Sequence, residues 1–286
     1  MKKYFNKIKE NYRSTKKKSL IVYFVLRILV IICMVLQILR GDWNNAFLCL
    51  LSLVLFLIPT IVEEKLKIKL PTVLESIIYL FIFSAGILGE INNFYGNIPH
   101  WDTILHTING FLAAGIGFSL IDLLNKNSKR INLSPFFLAI VAFCFSMTIG
   151  ILWEFFEYGV DSYLKYDMQK DRKITAISTV ELNPEKENDA IFIKNIDHTI
   201  LYDSQGNELA VIEGGYLDIG LIDTMKDLLV NFVGALFFSC IGFLYIKNRE
   251  KYKFVTHFIP KKWKRRQEYN SCLYVFIKTK IIFLLY

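Results

Sequence analysis

The chain has 286 residues, 53% of them hydrophobic and 15% aromatic, and carries a formal net charge of +8. Its mean hydropathy is +0.37. Six apolar stretches of membrane length alternate with polar connections, and at roughly 20 residues per crossing they take up about 120 residues. A secreted or cytosolic enzyme with a conventional hydrophobic core is thereby excluded.

In chain order the stretches are 19–39, 46–62, 72–89, 103–123, 135–158 and 221–246. Each is long enough, or nearly so, to cross as a helix, which keeps its backbone hydrogen bonds internal in lipid. Eight Lys/Arg precede the first stretch, and Lys65, Lys67 and Lys69 follow the second. Lys126, Lys129 and Arg130 follow the fourth, and eleven basic residues follow the sixth. The short connections of the other side hold Arg40 in one case and no Lys or Arg in 90–101. This positive-inside bias predicts six crossings of a bacterial plasma membrane with both termini cytoplasmic. The first run is 21 residues long and lacks a small-residue cleavage pattern, so it reads as an uncleaved span. Arg27 inside it is expected to snorkel toward the headgroups, a partner within the bundle being the alternative.

The expected fold is an all-α polytopic membrane protein with six transmembrane helices. A basic leader (1–18) precedes the membrane domain (19–246), and a basic tail (247–286) follows it. The fifth and sixth helices are joined by a 60-residue extracytoplasmic loop, 161–220. Strand-like pieces at 190–196, 199–202 and 208–212, with Ser204-Gln205-Gly206-Asn207 between the last two, predict a small β-hairpin with a third strand as an external cap, an ordered linker being the equal alternative. Gly214-Gly215 supplies a flexible or tightly turned return to the sixth helix. In the tail, the basic run 261–266 is read as an attraction to anionic lipid headgroups and not as a nucleic-acid patch. The closing run 272–286, interrupted by Lys278 and Lys280, is read as interfacial. Five cysteines without a CxxC read as packing groups.

The informative residues are ionisable groups at one end of the later helices. Asp102, His106 and Asn109 fall at i, i+4, i+7 and share a helical face. Glu154, Glu157 and Asp161 repeat the pattern at i, i+3, i+7, and Asp223, Asp227 and Asn231 at i, i+4, i+8. The alternation of crossings puts all three stripes at the outer ends of their helices, where Glu90 could join them. Charged residues at that depth face a bundle interior or a watery cavity. Carboxylates with one imidazole suit a divalent cation, with Asp102, His106, Glu154, Glu157, Asp223 and Asp227 as possible ligands. Without a metal, crowded acids would share protons, or Lys226 would neutralise part of the charge. Small residues after His106 (Asn109-Gly110, Gly115, Gly117), and Gly234-Ala235 in the sixth helix, predict close helix contact beneath the site.

At Trp101-Asp102…His106-Thr107-Ile108-Asn109-Gly110, Trp153-Glu154-Phe155-Phe156-Glu157 and the block from Asp218 to Asp227, the chain resembles the YjdF-like family of bacterial multi-pass inner-membrane proteins. The likeness covers about residues 15–250. It implies a membrane architecture, with the polar residues as matching motif positions, and assigns no settled activity, cofactor or catalytic role.

The leading functional expectation is binding or translocation of a small ion or solute at an outward-facing carboxylate/His site. A metal-dependent enzyme acting on a lipid or envelope precursor, with Glu154 or Glu157 as general base, stays open. So does a structural or partner-binding role for the loop. No nucleic-acid partner is expected.

Overall fold

The computed structural model describes residues 2–127, 132–185 and 187–262, with side chains from Ser19 onward. The leader's lysines, Lys129, Arg130, the run from Trp263 and the 272–286 segment lie outside that description. Among the described residues, six helical segments are long and apolar enough to cross a membrane. They are Ser19–Leu39, Trp43–Leu66, Thr72–Ile91, Trp101–Lys126, Pro135–Leu164 and Leu221–Lys247, matching the six expected stretches.

The helices follow from local sequence. Helix α1 (Lys2–Leu39) includes the run 19–39, apolar apart from Ser19, Arg27 and Gln37 and without proline or glycine. The second span is two helices, α2 (Trp43–Leu55) and α3 (Ile58–Leu66). Pro59 has no amide to donate, so it is accommodated in the first turn of α3, where that donor is not needed. Asp42 caps α2 by accepting the Asn45 amide at 3.1 Å. The third span is α4 (Thr72–Phe83) continued by a π-helical stretch, Ser84–Ile91. A short α5 (Phe94–Asn97) precedes α6 (Trp101–Asn127), α7 (Pro135–Leu164) and α8 (Leu221–Lys247).

The chain divides into two compact units, Met1–Thr148 with Val230–Tyr286, and Ile149–Leu229. In the first unit, Tyr23, Phe56 and Tyr79 form an aromatic knot with ring centroids 5.2–6.3 Å apart. Arg27 belongs to it: Nη1 donates to the Tyr23 hydroxyl at 2.5 Å. The guanidinium thus has a phenol partner one turn back on its own helix, on the N-terminal side, while its Nε is buried without a hydrogen bond among the described residues. A second cluster joins Ala114 and Phe118 of α6 to Leu138 and Ala142 of α7 and to Ala235 and Phe238 of α8. Val255 and Ile259 of the early tail are buried in the same cluster. Strand β1 (Ile68–Lys69) pairs antiparallel with Lys261–Lys262, so the start of the basic run is strand-paired.

The second unit contains the loop. Its strands β2 (Arg172–Ile174), β3 (Ile177–Thr179), β4 (Ile191–Ile193), β5 (His198–Tyr202), β6 (Glu208–Glu213) and β7 (Tyr216–Asp218) make three two-stranded antiparallel pairs. The expected hairpin is β5–β6. The expected third strand is β4, and it pairs with β3 instead of joining that hairpin. Strand β2 pairs with β7 and closes the base of the loop, a long-range pairing that local alternation does not reveal. At Gly215 (φ +140) a Cβ would lie 2.4 Å from the Ile174 carbonyl oxygen, so the return is a tight turn that requires glycine.

Candidate functional site

The first unit carries the imidazole. Helix α6 starts at Trp101, placing Asp102 in its first turn and His106 one turn further. His106 Nε2 and Asp102 Oδ1 are 3.4 Å apart, with side chains 12% and 21% exposed. That is longer than a strong charge-assisted hydrogen bond. It matches two donors that each sit about 2.0–2.2 Å from one tetrahedral metal, which are roughly 3–3.5 Å apart.

The next turn is a seam between α6 and α8. Asn109 Nδ2 donates to Asn231 Oδ1 at 3.2 Å, and Asn231 is fully buried. Ser146 Oγ donates to the Gly110 carbonyl at 2.7 Å, a contribution from α7 that the sequence reading missed. A Cβ on Gly110 would fall 2.1 Å from the Asn231 carbonyl oxygen, and one on Gly234 would fall 2.1 Å from that of Thr107. The two glycines thus admit each other's helix backbone, as the small-residue pattern predicts. Close backbone contact fixes the amide pair, and the amide pair fixes the face on which His106 stands.

The second unit carries Glu154, Glu157, Asp161, Asp223 and Asp227. Helix α7 runs on to Leu164, so Glu154 stands ten residues, about 15 Å, before its end rather than the expected four. Glu154, Glu157, Asp223 and Asp227 are all buried. Trp153 Nε1 donates to Glu157 Oε1 at 2.8 Å. Lys226 Nζ lies 3.9 Å from Asp227 Oδ1, in line with the expected partial neutralisation.

Asp161 and Asp223 anchor the loop. The Asp161 carboxylate accepts the amides of Met168 (2.7 Å) and Gln169 (2.8 Å). Asp223 accepts the Lys170 amide (3.0 Å) and Arg172 Nη2 (2.8 Å). Gln169 Nε2 bonds to Thr224 Oγ1 at 2.5 Å. The turn 168–172 therefore laces the end of α7 to the start of α8. Outside the helices, burial and the charges of Asp167, Asp161 and Asp218 push the Asp171 carboxyl above its ordinary range.

Three buried carboxylates of the described spans lie outside the stripes, and the first, Glu63, accepts the Leu70 amide at 2.7 Å. Glu75 of α4 accepts from Ser19 Oγ (2.6 Å) and the Tyr79 hydroxyl (3.0 Å). Asp122 of α6 pairs with Lys126 (2.5 Å) and Arg249 (3.0 Å). Burial pulls the Arg249 guanidinium down, but the hydrogen bond and charge of Asp122 reverse this and leave it above its usual value. Such paired groups hold helices together and leave little ligating capacity.

The helices, the apolar surface and the motif blocks define a multi-pass membrane protein. The chain belongs to the family described as "Predicted membrane protein (DUF2238)", whose model matches residues 20–180, more than half its length. This agrees with the family expected from the motif blocks. An uncharacterized protein of Thermotoga maritima is 27% identical over 123 residues, which cover 43% of this chain and 62% of that relative. No solved structure matches.

Proposed function

We propose that this membrane protein binds a divalent cation at Asp102 and His106, as a step in moving that ion across the bilayer. The carrying observation is the imidazole–carboxylate pair at metal-ligating separation inside a membrane-length helix. An ionisable group in such a helix is costly in lipid, and facing a bundle interior or a watery cavity is what makes it tolerable there. The amide oxygens of Asn109 and Asn231, one turn further along, are neutral hard donors suited to a partly dehydrated ion. Positive-inside charge bias supports an outward-facing placement of this end of α6.

The test is equilibrium dialysis of the full chain in detergent against Zn²⁺ and Mn²⁺, with bound metal counted by mass spectrometry. Flux of the same ions is then measured into proteoliposomes. Near-stoichiometric binding is expected, weakened about tenfold or more by Asp102→Asn and by His106→Gln. Glu154→Gln, Glu157→Gln and Asp227→Asn, run alongside, measure what the second unit's acids add. Binding that is unchanged in both α6 variants would sink the proposal.

A further inference from the structure

Beyond α8 the chain turns back along the helices it has just left. Residues 252–260 include a 3₁₀ turn, Lys253–His257, and end at the buried Pro260. The Phe258 ring packs edge-on against Phe111, with centroids 5.3 Å apart. Val255 and Ile259 are buried in the cluster that holds Phe118 and Phe238. Phe238 stands nine residues, about 14 Å, before Lys247 of α8, and Phe111 stands fifteen residues, about 22 Å, before Lys126 of α6. The segment's backbone meets α6 at Gly115, where a Cβ would lie 3.6 Å from the Phe258 carbonyl oxygen. The early tail therefore climbs well back along two membrane-length helices.

Non-helical backbone at that depth must satisfy its polar groups within the protein. This turn does so locally. The Val255 amide donates to the Tyr252 carbonyl (3.1 Å) and the Phe258 amide to the Val255 carbonyl (2.9 Å). Thr256 Oγ1 donates to the Lys253 carbonyl at 2.7 Å. Charge brackets the segment, with Lys251 and Lys253 exposed at its start and Lys261 and Lys262 exposed after its end. Two ties hold it. At the start, Arg249 Nη2 donates to Oδ1 of the buried Asp122 of α6 at 3.0 Å. At the end, Lys261–Lys262 pair with β1, which sets Lys261 opposite Lys69. Like charges opposed across two strands weaken a pairing, and a two-stranded ladder is marginal on its own.

We infer that residues 252–260 are a re-entrant plug, closing the α6–α8 seam at the end remote from His106. Phe111, Phe118, Phe238 and Phe258 make a dry apolar constriction, of the kind that gates by excluding water, and it opens when the tail withdraws. The gating role rests on the proposed movement of a cation along this bundle; the closure does not.

The experiment is hydroxyl-radical footprinting of the full chain in lipid nanodiscs, with oxidised residues mapped by mass spectrometry. In the native chain Phe118 and Phe238 should stay unoxidised, while Phe254, exposed on the same turn, is modified. Val255→Asp puts a charge on the buried face of the turn and should raise oxidation of Phe118 and Phe238 on the order of tenfold. Arg249→Gln loosens only the first tie and should raise it roughly two- to fivefold, the range of one part-exposed ion pair. Tyr79, buried in the other aromatic cluster, is the fold control: if Val255→Asp exposes it too, Arg249→Gln decides. Phe118 and Phe238 oxidised in the native chain, or unmoved in the variants that keep Tyr79 unoxidised, overturn the closure. Flux of Mn²⁺ into proteoliposomes should rise by similar factors, with bound metal per chain unchanged. Flux that stays level where the footprint opens overturns the gate. A native chain that binds no Mn²⁺ ends the cation reading and the gate together, and the footprint still decides the closure.

Discussion

Asp102 and Asp223 look alike in the sequence, each an acid in the first turn of a membrane-length helix, yet their surroundings differ. Asp223 is spent on structure, its two oxygens taken by a backbone amide and a guanidinium. Asp102 keeps partial exposure and faces a titratable imidazole. A buried acid whose lone pairs are consumed by the fold is an anchor. Under the proposed reading, the more exposed acid beside a histidine is the one that takes the ligand. Asp161 goes with Asp223, because the same turn occupies it.

The sharpest way to break this comparison is to destroy the scaffold beneath Asp102. Gly110→Leu puts side-chain atoms where the Asn231 backbone lies and should destabilise by about 3 kcal/mol, the upper end of the overpacking range, since the obstacle is backbone. Fluorescence-detected gel filtration after heating should show loss of the folded peak. The anchor comes next. Asp223→Ala removes the carboxylate that Arg172 and the Lys170 amide bond to, and because Arg172 is 41% exposed the cost should be about 1–3 kcal/mol, below that of a fully buried pair. Limited proteolysis should then cut the 165–220 loop faster, while cation binding persists. Asp102→Asn should do the reverse, changing stability by less than about 1 kcal/mol while weakening binding.

Two small effects come from the loop. The Asp203 carboxyl is held below its ordinary range by the side chain and amide of Asn207. Its stabilisation is therefore present above the ordinary carboxylate range and lost as pH falls through the depressed value. Asp171 has the opposite sign: its raised value means stability that is full at low pH and lost as pH rises through that value. Thermal melts of Asp203→Asn and Asp171→Asn against pH should bend in opposite directions.

Much of the membrane architecture was legible because hydrophobic length is a local property. The run 19–39 needs no knowledge of its neighbours to be read as a span. The break at Pro59 and the continuation of α7 to Leu164 shift ends without changing the number of crossings. The α6 stripe was legible for the same reason, being a matter of 3.6-residue periodicity. What escaped was long-range. Strand β2 finds β7 across the 41 residues between Ile174 and Tyr216, and Arg172 meets Asp223 at that closure. Val255 and Ile259 read as ordinary tail residues, yet they fill the cluster around Phe118 and Phe238. Chain entropy hides such pairings from any window of local sequence.

The most direct measurement is the zinc K-edge X-ray absorption spectrum of the full chain loaded with one equivalent of Zn²⁺. The account predicts one imidazole nitrogen at about 2.0–2.1 Å with oxygen donors completing the shell. The imidazole scattering should vanish in His106→Gln, and one oxygen should be replaced in Asp102→Asn. A first shell without imidazole, or one identical in the two variants and the native chain, would contradict it.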